Sequence, residues 1–388
     1  MRRTRRPDSS VSATSLLSRA ALSRRFCVYV LAALAVALLA LPGRASPPGA
    51  DDPVANAEAL VRAGHWKRAR AILEPRVNAH PQEARACYLL AEVKMAFNDL
   101  DGALDLAQRA AQLDSKNSDY HLTLGQNFGR LAAQASIFTA GPLAIKFRKE
   151  VEIAIELDPK NLDALDSMMV FKYRAPGLMG GDKDEAHALA ERITSINQST
   201  GYLAQAELAE LQNDPAQQEA DCLKAVQANP SNYEAHIALA KFYTQSGHAK
   251  YDEAANHAQN TMRLDPARIG AYWVLARIFA LAARWSELEQ TLAAGERRVP
   301  DDLRPFYESA QALRETGKDF ARAEGYARKY LSQEPEGEEP DSAEAHRLLG
   351  LIFDREGRRD EARAEIQTAL RLRPGFRDAK EDLKRLGD

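Results

Sequence analysis

The chain has 388 residues, 45% hydrophobic and 28% charged, with 21 Gly and 18 Pro. That is enough apolar material for a packed core, and it excludes a generally disordered polymer. The formal charge of −3 hides a division: residues 1–45 hold eight Arg against the single acid Asp8, leaving 44 basic and 54 acidic side chains, net −10, in the rest. A body of that sign is a poor match for nucleic acid or another polyphosphate.

The N-terminus has the order of an export address. Arg2 to Arg25 is basic and rich in Ser, and Phe26 to Leu41 (FCVYVLAALAVALLAL) adds 16 residues without a charge. Gly43 and Ala45 then stand three places and one place before a cut after Ala45. Basic, apolar and small-x-small regions in that order describe a secretory signal peptide, assigned to residues 1–45. An organelle transit peptide is also Arg- and Ser-rich, but the long apolar core argues against it. Cys27 opens the apolar run rather than closing it, which argues against a lipoprotein site. The mature chain is expected to start near Ser46 in a periplasmic or other extracytoplasmic compartment. N-terminal sequencing of the native protein checks this, and an intact Met1 on a cytosolic protein contradicts it. If uncleaved, this segment is the expected membrane contact, although 16 residues fall short of the roughly 20 that a span needs.

Beyond residue 45 one grammar recurs. Pro266 and Pro300 are 34 residues apart, and Pro335 follows 35 later. The last copy, AEAHRLLGLIFDREGRRDEARAEIQTALRLRPG (343–375), has Leu349-Gly350 in a first helix, Phe353 one turn on, and Gly357 at a turn. Ala362 and Ala369 then lie in a second helix, and Pro374 stops it. The small residue of the first helix recurs as Ala57, Ala91, Gly125, Ala206, Ala240, Ala276, Ala310 and Gly350. That of the second recurs as Ala69, Ala103, Ala186, Ala254, Ala323 and Ala362. Small residues let two helices approach, while Leu, Ile and Phe at i, i+3, i+4 spacing fill the space between neighbours.

This pattern resembles the tetratricopeptide repeat, two antiparallel helices per unit of about 34 residues. The resemblance implies an all-α, right-handed superhelical solenoid of about nine repeats. They are placed near 50–83, 84–117, 118–161, 162–198, 199–232, 233–268, 269–302, 303–342 and 343–375. Residues 376–388 are amphipathic and serve as a capping helix, which solenoids need. Two units are enlarged. In the third, a Thr139-Ala140-Gly141-Pro142 turn is expected between Ile137, Phe138, Leu143 and Ile145, with both helices extended past the usual loop. The fourth carries APGLMGGDKDEA (175–186), which resembles a segment of exported bacterial repeat proteins without an assigned activity. Pro176 with Gly177, Gly180 and Gly181 breaks the helix, and Asp182 suits an N-cap. The two excursions share the same end of adjacent repeats and should touch.

Chemistry-bearing motifs are missing. No metalloprotease, nucleophile-elbow, dinucleotide or P-loop signature is present, and no enzyme or cofactor is expected. Cys87 and Cys222 lack the spacing of a metal or redox motif and read as buried small hydrophobes. His121, His236 and His346 share one register and read as packing residues. Gly180-Gly181 could cradle an anion on backbone N–H groups, against the plainer reading of a connecting loop.

The remaining candidate is the concave face, lined in this family by the first helix of each unit. Projection places Tyr88, Tyr173, Trp273 and Tyr307 there, with Lys241, Arg277 and Arg314 nearby. Trp273, Arg277, Tyr307 and Arg314 are expected to form one basic-aromatic patch suited to an acidic segment. Ile237 and Lys241, then Trp273 and Arg277, stand where carboxylate-clamping relatives carry Lys and Asn, so a chaperone tail is not expected. The expected function is a non-enzymatic scaffold that binds a protein or peptide client in the groove, in envelope assembly, and no nucleic acid. The alternative is a periplasmic solute-binding or transport-associated component using the enlarged third and fourth repeats.

Overall fold

The computed structural model describes residues 52–245, 249–337 and 340–387. The expected export segment and its cleavage site lie outside them. Among the described residues the regular elements are all helical, and no helix is long and apolar enough to cross a membrane.

The helices follow one another as hairpins. They begin with α1 (Pro53–Ala63) and α2 (Trp66–Ala79), α3 (Ala84–Ala96) and α4 (Leu100–Leu113), then α5 (Ser118–Gln134) and α6 (Ile137–Leu157). Next come α7 (Leu162–Arg174) and α8 (Lys183–Ile196), α9 (Gln198–Leu211) and α10 (Pro215–Ala228), and α11 (Tyr233–Phe242) and α12 (Tyr251–Leu264). The series continues through α13 (Gly270–Leu281) and α14 (Trp285–Arg298), α15 (Arg304–Thr316) and α16 (Phe320–Tyr330), and α17 (Ser342–Arg355) and α18 (Arg359–Leu372). A last helix, α19 (Arg377–Gly387), lies against α18 with Ala379 and Leu386 buried. Each helix packs on its hairpin partner and on the next hairpin, as in a solenoid.

The small residues carry this stacking. Every one named above is buried, from Ala57 to Gly350 in the first helices and from Ala69 to Ala362 in the second. A Cβ at Gly350 would lie 2.9 Å from Ile366 Cγ1 and 3.0 Å from the Ala362 carbonyl, so a larger residue in the α17–α18 contact would have to push the Ile366 side chain aside.

Hairpin starts are fixed by side-chain caps. The amide oxygens of Asn117, Asn161, Asn197 and Asn232 accept first-turn N–H groups of α5, α7, α9 and α11. Two of these caps also tie one hairpin to the next. Ser118 Oγ donates to the Ala154 carbonyl (2.8 Å) and accepts from Asn161 Nδ2 (2.8 Å). Ser199 Oγ repeats the arrangement with the Ala225 carbonyl (2.8 Å) and Asn232 Nδ2 (2.7 Å).

The enlarged units differ in part from the expectation. Helices α5 and α6 do extend, to 17 and 21 residues. No turn exists at Thr139–Pro142, however. The chain reverses at Ala135-Ser136, and Pro142 sits inside α6 as its sixth residue, where its missing N–H costs one intrahelical bond. In the next hairpin α7 ends at Arg174, a short 3-10 turn covers Gly177–Met179, and Asp182 caps α8 by accepting the Glu185 N–H (3.0 Å). The two excursions do touch. Arg148 Nη1 donates to the Met179 carbonyl (3.4 Å), and the Phe147 and Phe171 rings stand 5.3 Å apart.

Cys87 and Cys222 are buried free thiols, and burial pushes both up from their ordinary pKa. The three histidines in register are held within their own hairpins. His121 Nδ1 meets Glu150 (2.7 Å), His346 Nδ1 meets Glu365 (2.6 Å), and His236 Nδ1 meets His257 Nδ1 (2.8 Å).

Candidate functional site

Helices α3, α5 and α7 each turn one stripe toward a common cavity of about 1400 Å3. On α3 the stripe is Tyr88, Glu92, Met95 and Ala96; on α7 it is Asp163, Asp166, Ser167, Val170, Phe171 and Arg174. Steps of three, four and seven residues are those that keep side chains on one helix face. Between them α5 supplies Asp119, Gln126, Gly129 and Arg130, and Gln126 Nε2 reaches Ser167 Oγ at 3.3 Å. The enlarged hairpins contribute Ala140, Ala144, Phe147, Pro176 and Met179 to the wall.

Five carboxylates (Glu92, Asp119, Asp163, Asp166 and Glu336) share the polar part of this lining with four arginines (Arg62, Arg130, Arg174 and Arg304). Burial pushes Glu92 up to about 7, with Asp119 and Asp163 adding to it, although the Tyr88 and Thr123 hydroxyls partly stabilise its charge. Asp166 is pushed up to about 7 by burial, with Glu207 and Asp163 reinforcing the effect. Asp163 is raised by burial and by Asp119. Glu207 on α9 is raised by burial against the opposing pull of Arg174. Among the described residues, none of Glu92, Asp163 and Asp166 forms an ion pair. Glu92 and Asp166 are half-buried and Asp163 is exposed, and half-buried carboxylates outside an ion pair lie at higher free energy than the same groups in water. A ligand that brings positive charge relieves that condition. The Tyr88 ring stacks at 5.1 Å on Tyr120 and gives the cavity an aromatic face beside Glu92.

The residues expected on the concave face divide between this cavity and a second region. Tyr88 lines the cavity. Tyr173 does not; Lys183 Nζ stands 4.7 Å from its ring centroid at the α7–α8 hairpin. Lys241, Trp273 and Arg277 do come together on α11 and α13, with Lys241 Nζ 4.8 Å from the Trp273 ring. Tyr307 packs on Tyr330 at 5.3 Å, and Arg314 is half-buried.

The expected basic-aromatic patch is corrected by its neighbours on α15. Arg277 donates to Glu315 (2.8 Å) and lies 3.5 Å from Glu308, so its charge is already matched. Burial lowers the Lys241 pKa, which disfavours its charge as well. An acidic segment would have to displace Glu308 and Glu315 to use these cations.

The anion cradle at 177–182 is also corrected. The Gly180 N–H bonds to the Gly177 carbonyl (3.0 Å), the Gly181 N–H to Pro176 (3.1 Å), and the Asp182 N–H to Lys172 (2.8 Å). Gly180 adopts φ +95, and Gly181 is pressed on the Ala175 carbonyl, so both glycines shape a loop whose donors are spent internally.

Comparison with known proteins agrees with the hairpin architecture. Two tetratricopeptide-repeat family models match, one over residues 60–126 and one over 307–375. No curated protein sequence matches. Among solved structures the chain is similar to a tetratricopeptide-repeat protein from Parabacteroides merdae. There the identity is 17% and the TM-score 0.45, covering 68% of this chain and 99% of that one. It is also similar to yeast Tom70, at 14% identity and TM-score 0.45, covering 87% of this chain and 82% of that one. A third similar structure is a thermophilic repeat protein of Thermus thermophilus, at 15% identity and TM-score 0.36, covering 58% of this chain and 97% of that one. Helical hairpins stacked through buried small residues, with family models matching near both ends of the series, identify this chain as a tetratricopeptide-repeat-containing protein.

Proposed function

We propose that the protein is a non-enzymatic scaffold that holds an extended, positively charged protein segment in the cavity lined by α3, α5 and α7. Tetratricopeptide repeats mediate protein–protein interactions, which sets the class. The observation that carries the finer reading is the set of carboxylates Glu92, Asp163 and Asp166 without an ion pair among the described residues, on the wall of a cavity of about 1400 Å3. Small-molecule sites run to roughly 300–1,000 Å3, so the space suits several residues of chain better than one solute. Arg or Lys side chains would meet the carboxylates, and apolar side chains would meet Val170, Phe171 and Phe147. On the basic, apolar and small-residue order of residues 1–45 we place this scaffold outside the cytoplasm, in envelope assembly.

Titration calorimetry with an alternating Arg–Leu peptide tests this reading. Binding to the full chain is expected, with no binding of a Glu–Leu peptide of equal length. The solute-binding alternative is favoured instead if spermidine binds as tightly as the Arg–Leu peptide and displaces it.

A further inference from the structure

Helix α2 starts without the usual means of satisfying its first N–H groups. Its N-cap residue, His65, makes no side-chain cap bond, and no acid lies in the first turn. The missing acceptor comes from the other end of the series. Glu336, in the link between α16 and α17, accepts the Lys67 backbone N–H on Oε1 at 2.7 Å, across 269 residues of sequence.

Further polar contacts surround this one. Lys67 Nζ donates to the Glu334 carbonyl (2.6 Å) and lies 3.4 Å from Glu336 Oε2. Arg70 donates to the Glu334 carboxylate (2.9 Å), and Arg68 pairs with Asp301. Gly337 follows at φ +114, and a Cβ there would stand 3.0 Å from the Ala96 carbonyl. Trp66, Ala96, Arg304, Glu336 and Gly337 all line the cavity, so this contact closes one side of it. Adjacent hairpins share continuous buried apolar clusters besides their polar links, whereas this closure is mostly ionic and hydrogen-bonded. Contacts of that kind are screened by salt and open at lower free energy than a packed core.

We propose that residues 334–337 are a latch on α2, whose release opens the ring of hairpins sideways and admits a protein segment to the cavity. The admission half of this statement rests on the function proposed above; the opening half does not. Burial sets the response to pH. It pushes Glu336 up to about 7, against the pull of Lys67 and with Asp301 and Asp302 adding to the rise. The closed form therefore holds this proton more tightly than the open form does. Closure through Glu336 is strongest below the ordinary carboxylate range and weakens as pH rises through about 7. His65, buried beside Arg68, Asp301 and Asp302, has a lowered pKa and opposes this trend, weakening closure when acid protonates it. Arg304 pairs with Asp302 at 2.8 Å and stays charged throughout.

Two measurements on the full chain test the proposal. The first is amide hydrogen exchange at Lys67, whose N–H has Glu336 as its acceptor. Glu336→Ala is expected to lower the Lys67 protection factor roughly tenfold to a hundredfold, with protection in α17 unchanged. Glu336→Gln keeps an acceptor and removes the charge, so it should preserve protection above neutral pH. Unchanged protection in Glu336→Ala overturns the latch, and equal loss in α17 shows global unfolding, which also overturns it. The second measurement joins Arg70→Cys and Glu334→Cys with a bismaleimide. The joined ring is expected to bind the Arg–Leu peptide at least about tenfold more slowly than the unjoined variant, and to release preloaded peptide as slowly. Equal rates overturn admission through this opening. If the unjoined variant binds no peptide, the cavity reading fails, and the Lys67 exchange alone decides the latch.

Discussion

Replacing Gly201 by alanine is expected to destabilise the protein by about 3 kcal/mol or more, at the upper end of overpacking effects. Gly201 lies in the first turn of α9, where the chain passes directly across the end of α8. A Cβ there would overlap the Thr194 backbone, which cannot turn aside as a side-chain tip can. At Gly350, by contrast, two of the three nearest atoms belong to the Ile366 side chain, which has some freedom to yield. Each hairpin buries its face mainly on its neighbours, so the damage should stay local. Hydrogen exchange is expected to rise over α8–α10 and to remain unchanged over α17–α19, alongside a lower denaturation midpoint. Gly325→Ala provides the control. This residue is exposed in α16 with no atom near its Cβ direction, so alanine should stabilise the helix by about 0.5–1 kcal/mol.

The second large effect falls on the cavity and has two opposite signs. Glu92→Gln combined with Asp166→Asn should raise stability at pH 8 by about 1–3 kcal/mol, because neither amide bears the cost of a half-buried charge. Both carboxyls are pushed up to about 7 in the folded chain, above their unfolded values. The native protein therefore loses stability as pH rises from the ordinary carboxylate range through about 7, and the double variant should show a flatter profile. The same variant should bind an Arg–Leu peptide more weakly by about 2 kcal/mol or more. Stability gained where affinity is lost is expected of groups held at high free energy for a ligand. Urea denaturation across pH and peptide titration on one preparation check both signs.

Much of the fold was legible in the sequence because its determinants are local. The small residues from Ala57 to Gly350 mark the close helix contacts, and all are buried. Asn and Asp residues mark the helix starts, and Asp182 caps α8 as its position suggested. The turn expected at Thr139–Pro142 was misplaced because Gly141-Pro142 has turn chemistry, which the packing of α6 along α5 overrides.

The site was less legible, for a physical reason. Whether Arg277 is free depends on Glu308 and Glu315, 31 and 38 residues further on, and that pairing depends on how neighbouring helices stack. Attention to aromatics and cations passed over Glu92, Asp119, Asp163 and Asp166. One signal was present: the residue after the small position of the first helix reads Glu92, Gln126, Glu207, Lys241 and Arg277. Glu58 precedes these and Gln311 and Leu351 follow them, and of this register Glu92 and Gln126 line the cavity. The contact between Lys67 and Glu336 spans 269 residues and depends on the curvature accumulated over every hairpin between them, which no local pattern encodes.

The most direct test of the account is the pH dependence of Arg–Leu peptide binding, measured by calorimetry from about pH 6 to pH 8 in buffers of different ionisation enthalpy. Glu92 and Asp166 are each pushed up to about 7 in the empty cavity, and a bound cation would bring both down. Affinity should therefore rise with pH through about 7, with protons released on binding, and Glu92→Gln with Asp166→Asn should abolish both effects. Affinity that is flat across this range, or proton uptake on binding, would contradict a cavity built around these carboxylates.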